Sequence, residues 1–200
     1  MMVLTALYLA HLNPVTKAHV EIITELRAEA DRVKIMPVTF REGASEINSR
    51  SFPFTFGQRK EMIMAVFGDG VDVTDDYTFF APFRKYMPPL LAPKSWLLRK
   101  QILRGIGGDY FTYTGDKAEG YMLKLYMLKP KVGTRKSLSA TSVKEKLYQA
   151  AAGMDANWKN DVPDKVAEII EKNWDTVQKF ASTEDRTTRI AGMKFPKDGY

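Results

Sequence analysis

The chain has 200 residues, enough to bury the core of one domain or of one domain with a small appendage, and 44% hydrophobic against 27% charged residues exclude wholesale disorder. With no cysteine it carries no disulfide framework, zinc ribbon or thiol chemistry. The 30 Lys and Arg against 24 Asp and Glu leave +6, which suits a polyanionic small substrate, an acidic partner or nucleic acid. No dense basic run interleaved with aromatics occurs, so nucleic acid is not an expected partner.

The first run, "VLTALYLA", is short and mostly apolar, as suits a strand buried on both faces of a parallel sheet. It lacks a basic flank and meets His11 and Pro14 at once, so it is expected to be neither a signal peptide nor a membrane span, and a cytoplasmic location is expected. From Lys17 to about Ala30, Val20, Ile23, Leu26 and Ala30 recur at helical spacing. "DRVKIMPVTF" then reads as a second strand and completes a β-α-β unit. "REGASEINSRSFP" is a polar loop ending at Pro53, placed where α/β proteins meet their ligands.

"TFGQRKEMIMAVFG" predicts a helix with Met62, Ile63 and Val66 inward and Gly68 near its end. The aromatic, proline-rich stretch from Asp69 to Pro93 predicts one short strand and an irregular connection. "KSWLLRKQILRGIGG" predicts a helix with a glycine stop, and "DYFTYTG" a strand. "DKAEGYMLKLYML" satisfies either periodicity. Two helices follow, at "SATSVKEKLYQAA" and at "PDKVAEIIEKNWDTVQKF", the second opened by Pro163. Polar residues with little periodicity fill 181–200, which predicts a loose tail or a subunit-contact arm behind a main domain of residues 1–180.

Two stretches carry chemistry. In "HLNPVTKAH", Thr16 and His19 stand one turn apart at a strand-to-helix junction, where unpaired N–H groups and the helix dipole favour an anion. In "KSLSATSVKEKL", Ser139, Thr141 and Lys144 supply hydroxyls and a cation at another helix start, although Ser142 and Glu145 alone would make a capping box. The first stretch resembles the glycine-x-phenylalanine-x-proline turn and His/Thr-x-Gly-His tetrad of the nucleotidylyltransferase superfamily, with Asn13, Pro14, Thr16 and His19 at matching positions. Ala10, His11, Leu12 and Ala18 stand where Gly, Arg, Phe and Gly are usual. The second is similar to that superfamily's Ile-Ser-x-Thr-x-x-Arg motif, with Lys144 in place of arginine. "FPFTFGQRKEMI", "YTGDK" with Trp96 ahead of it, and "NWKNDVPDKVAEIIEK" resemble segments of the archaeal-type nicotinamide mononucleotide adenylyltransferases.

The resemblance implies an α/β fold, a doubly wound parallel sheet of the Rossmann-like nucleotidylyltransferase type with C-terminal helices. It implies transfer of the adenylyl group of ATP to nicotinamide mononucleotide, with release of pyrophosphate. The same motifs serve cytidylyltransferases, adenylyltransferases of other phosphorylated acceptors, and a non-catalytic nucleotide-binding protein. Carried onto this chain, catalysis falls to Thr16, His19 and Lys144, and nucleotide binding to His11, Asn13, Gly115, Asp116, Ser139 and Thr141. Arg59 and Trp96 are assigned to the acceptor, by phosphate contact and stacking. Mg2+ is expected on the nucleotide phosphates, with no metal ligands from the protein, and the chain is expected to form a homo-oligomer without membrane contact.

Overall fold

The computed structural model describes residues 3–87, 91–115, 117–134, 136–190 and 193–200. The elements run β1 (Thr5–Ala10), α1 (Lys17–Glu29), β2 (Arg32–Pro37), β3 (Thr39–Glu42), β4 (Ser45–Glu46), α2 (Phe56–Phe67), β5 (Asp72–Val73) and β6 (Thr78–Phe80). They continue with α3 (Pro93–Ile102), β7 (Tyr110–Thr114), α4 (Lys117–Leu125), β8 (Pro130–Val132), α5 (Ala140–Ala151), α6 (Asp164–Lys172), α7 (Trp174–Ala181), β9 (Thr187–Ile190) and β10 (Met193–Pro196).

Five strands pair in parallel in the order β5-β2-β1-β7-β8, with Ala6 level with Val33 on one side and Phe111 on the other. Successive strand side chains point to opposite faces, so each strand feeds two cores. Ala6, Tyr8, Val33 and Ile35 pack with residues of α1, α2, α5, α6 and α7. Leu7, Leu9 and Met36 pack on the other face with α3, α4 and a cluster of aromatic residues. The expected doubly wound α/β sheet with C-terminal helices is therefore present. From β1 the chain builds outward to β2 and β5, then returns to add β7 and β8 on the other side. That reversal opens a crevice between the carboxyl ends of β1 and β7.

Local structure departs from the sequence reading in five places. The run at 31–40 divides at Val38, because β3 leaves the main sheet to pair with β6 in parallel and β4 in antiparallel sense. The stretch after Gly68 gives two short strands, β5 and β6, rather than one. The last long helical pattern breaks at Asn173, whose side-chain amide bonds the Ile169 carbonyl (2.8 Å) and whose carbonyl oxygen accepts from Gln58 (2.8 Å). Val20, Ala30 and Val66 are half-buried at the edge of the core, while Ile22 takes an inward place on α1.

The fifth departure concerns residues 181–200. Strands β9 and β10 form an antiparallel hairpin, and Met193 and Phe195 are buried in the second core. Phe195 lies 5.4 Å from Phe40, 5.1 Å from Phe79 and 5.8 Å from Phe83, ring centre to ring centre. The polarity that suggested a loose tail belongs to the outward positions of a two-residue period too short to register in a helical reading. Truncation of Phe195 to alanine is expected to cost about 3–5 kcal/mol of stability in a urea melt, as for a core phenylalanine. A change below about 0.5 kcal/mol, the size for a surface position, would mean that the hairpin is not part of the core.

Candidate active site

The crevice is a cleft of about 280 Å³, walled by the ends of β1 and β7, the first turns of α1 and α5, Ser51 and Phe52 of the loop before α2, and Lys194 of β10. A second internal space, about 20 Å³ among Tyr77, Phe79, Leu98 and Met193, is a void in the aromatic core with no charged lining. Of the residues expected from sequence, His11, His19, Gly115, Ser139, Thr141 and Lys144 line the cleft. Asp116 lies outside the described residues.

Thr16 caps α1, and His19 occupies the third helical position, where a glutamate usually closes the capping box. The Thr16 N–H donates to His19 Nδ1 (3.0 Å), and the His19 N–H donates to Thr16 Oγ1 (3.4 Å). Because Nδ1 is the acceptor, the ring proton belongs on Nε2, which becomes the donor available to the cleft. Thr16 is fully buried and does not line the cleft, so its part is to orient His19.

Asn13 is likewise drawn into structure. Its side-chain amide donates to the Phe54 carbonyl (2.8 Å) and its oxygen accepts from the Phe54 N–H (3.1 Å), which clamps the β1–α1 turn to the loop before α2.

The structure does not bring Arg59 or Trp96 to the cleft. Arg59 is 2% exposed, and its donors reach the carbonyls of Thr55, His11 and Val38, Thr39 Oγ1 and the Glu46 carboxylate. Those contacts use all five N–H donors of a guanidinium. The Glu46 carboxylate also accepts from the Phe56 N–H at the start of α2 (2.9 Å), so the ion pair ties β4 to that helix. Arg59 therefore holds the main chain at His11 and does not line the cleft. Trp96 sits on α3, 40% exposed, with the Arg99 guanidinium 5.9 Å from its ring centre.

The electrostatics of the cleft are lopsided. Lys144 is 8% exposed and donates to the Ser51 carbonyl (2.7 Å); burial and the neighbouring Lys194 ammonium lower it to about 8. Burial, then Lys144, lowers His19 to about 4. His11 falls to about 3, through burial first and then Lys144, Arg59, Lys194 and His19. The His11 ring stacks on Phe52 (4.8 Å), and its buried Nδ1 has no hydrogen-bond partner among the described groups. Neither α1 nor α5 carries an acidic residue in its first turn. Both positive helix ends are thus left for an external anion.

No protein-family model and no curated protein matches the chain. Solved structures do match. A bifunctional NMN adenylyltransferase/ADP ribose pyrophosphatase from Francisella tularensis superposes with a TM-score of 0.63 at 15% identity, over 90% of this chain and 53% of that one. Its complex with AMP and a manganese ion gives 0.57 at 13%, covering 90% and 52%. A candidate nicotinate-nucleotide adenylyltransferase from Vibrio parahaemolyticus gives 0.53 at 13%, over 88% and 96%. This chain has their fold. It spans about half the length of the bifunctional protein.

Sequence reasoning passed over Ser51, Phe52 and Lys194. Ser51 and Phe52 sit in a loop that announced a ligand region but no particular residue. Lys194 is 143 residues from Ser51, its hydrogen-bond partner, and no local spacing joins them.

Two measurements check this site. Replacing Arg59 with alanine strands the largely buried Glu46 carboxylate and is expected to cost about 3–5 kcal/mol in chemical denaturation. An unchanged melt with weakened substrate binding would restore Arg59 to the ligand. The unfolded chain protonates histidine near 6.5, whereas His19 takes its proton near 4 and His11 near 3. The unfolded state then binds more protons between these values, so stability falls as the pH drops from about 6.5 towards 4. An NMR titration should show both imidazoles neutral at pH 6; an ordinary midpoint for His19 would contradict the burial described.

Proposed function

We propose that the protein transfers the adenylyl group of ATP to a mononucleotide, nicotinamide mononucleotide first among acceptors, giving a dinucleotide and pyrophosphate. The observation that carries this reading is the convergence of His19, Lys144 and the uncountered starts of α1 and α5 on one cleft at the switch point of the sheet. The fold shared with adenylyltransferases supports it.

The acceptor phosphate is already ionised at neutral pH, so attack on the α-phosphorus of ATP needs neither a general base nor a covalent intermediate. What the protein must supply is alignment and compensation for negative charge. His19, held by Thr16, presents Nε2–H to the phosphate that is attacked. Lys144 and the hydroxyl and N–H groups of Ser139 and Thr141 hold the departing pyrophosphate. The reacting phosphorus exchanges one P–O bond for another, and the leaving oxygen departs as an anion with no proton required. In place of the guanidinium usual in the motif, Lys144 offers a point charge, and its burial in the cleft wall strengthens that charge's field.

Among the described residues no group of three acidic or histidine side chains is placed to hold a metal. The described lining includes three lysines, Lys136, Lys144 and Lys194, against one carboxylate, Glu119, which accepts from Thr114 (2.6 Å). Such a lining fits a divalent cation that arrives on the nucleotide phosphates, where it would neutralise charge, and does not fit one held by the protein. No helix among the described residues is long and apolar enough to cross a membrane.

The test is incubation of the pure protein with ATP, magnesium and, in parallel, nicotinamide mononucleotide, nicotinate mononucleotide and non-nucleotide phosphorylated acceptors, reading pyrophosphate release. His19→Ala should lower kcat by about 10²- to 10³-fold, the range for one lost donor to a charged transition state, with a smaller change in the KM for ATP. Full activity in that variant would overturn the role of His19. Pyrophosphate released only from CTP, or only with an acceptor other than a mononucleotide, would keep the mechanism and move the substrate. ATP binding without turnover would make the protein a nucleotide sensor.

A further inference from the structure

The C-terminal hairpin does more than close the aromatic core. Met193 and Phe195 point into that core, so the two-residue period of β10 turns Lys194 to the opposite side, where it lines the cleft. Main-chain bonds pin the segment in place: the Lys197 N–H donates to Arg186 O (2.9 Å), and the Phe83 N–H donates to Gly199 O (2.9 Å). A lysine presented by an anchored strand is a fixed charge instead of a solvated arm.

Ser51 joins this lysine to Lys144 in the cleft wall. The Ser51 hydroxyl accepts from Lys194 Nζ (3.0 Å) and donates to Asp185 Oδ2 (2.9 Å), while its carbonyl accepts from Lys144 Nζ (2.7 Å). Asp185 also accepts from Lys194 (3.3 Å) and from Thr187 Oγ1 (3.1 Å). Two of the three ammonium donors of Lys194 are thereby placed, and one is left for a ligand in the cleft. The Lys194 side chain is 30% exposed, which allows a ligand oxygen to reach it.

We infer that Lys194 is a binding residue for the β- and γ-phosphates of the nucleotide, acting beside Lys144, with Ser51 and Asp185 as the positioning residues that hold it there. This rests on the nucleotide reading given under Proposed function. It makes the last twenty residues part of the site, so that the hairpin must be folded before the triphosphate end of ATP is fully held. A charge at that end discriminates ligands by their phosphate chain: it helps ATP and pyrophosphate and leaves AMP untouched.

The test compares the full-length wild type with Lys194→Gln, which keeps hydrogen bonding to Ser51 without the charge, and with Lys194→Arg, which keeps the charge. Calorimetry measures binding of ATP, inorganic pyrophosphate and AMP to each, and a thermal melt checks that each folds. The expected result is a loss of about 10- to 100-fold in affinity for ATP and pyrophosphate in Lys194→Gln, the range for one charge-assisted hydrogen bond. AMP affinity should hold, and Lys194→Arg should recover most of the loss. Equal ATP affinity in folded Lys194→Gln and wild type would overturn this assignment alone, as would an equal loss for AMP, which marks a structural role. Failure of the wild type to bind ATP or pyrophosphate would overturn the nucleotide reading and this inference with it.

Discussion

Residues 50–54 are where the molecule is joined. The Phe54 main chain is clamped by Asn13 at the entrance to α1, and the Arg50 carbonyl accepts from Tyr148 of α5 (2.6 Å). The Arg50 guanidinium donates to the carbonyls of Phe180 and Ala181 at the end of α7, and lies 4.2 Å from the Tyr148 ring centre. Ser51 receives Lys144 on its carbonyl and Lys194 on its hydroxyl. A loop without regular hydrogen bonding can remain buried only when its polar groups find partners elsewhere. Here those partners come from the β1–α1 turn, α5, α7 and the C-terminal hairpin, so satisfying the loop also fixes the walls of the cleft against one another.

That arrangement explains the charge of the site. Burying an ammonium is costly unless something compensates it, and Lys144 has a neutral carbonyl as its near partner. Lys194 adds a second positive charge nearby, offset in part by Asp185, and both histidines stay neutral. Among the described residues of the cleft the positive charges outnumber the negative ones, which suits a polyanion. Preorganised donors in a partly enclosed site lose little on reorganisation when the charge arrives, which is how the adenylyl transfer proposed for this site would proceed without a general base.

The parts legible in sequence were those whose information is local. The buried strand and helix at 3–30 showed through run length and period, and Ser139, Thr141 and Lys144 showed because a helix start confines its chemistry to six residues. His19 was legible for the same reason, though the role of Thr16 as its holder was not, since Thr16 could equally have faced the ligand. The resemblance alone assigns Arg59 to a phosphate, and its place in the sequence would equally suit a solvated helix residue. Only the fold shows its five acceptors, drawn from Thr55 on its own helix and from His11, Val38, Thr39 and Glu46 elsewhere. Lys194 was hidden in a four-residue strand whose apolar partners, Phe40, Phe79 and Phe83, lie more than a hundred residues earlier.

The central claim is that Lys144, buried against a neutral carbonyl, waits with the partly exposed Lys194 for the phosphates of a nucleotide. It is tested most directly by calorimetry of metal-free ATP binding near pH 8 in buffers of different ionisation heat, which counts the protons exchanged on binding. Lys144 stands at about 8 in the ligand-free protein and should return towards its ordinary value of 10.5 beside the phosphates. The expected result is uptake of a fraction of a proton per ATP, lost in Lys144→Gln. ATP binding with no proton uptake at that pH would contradict it.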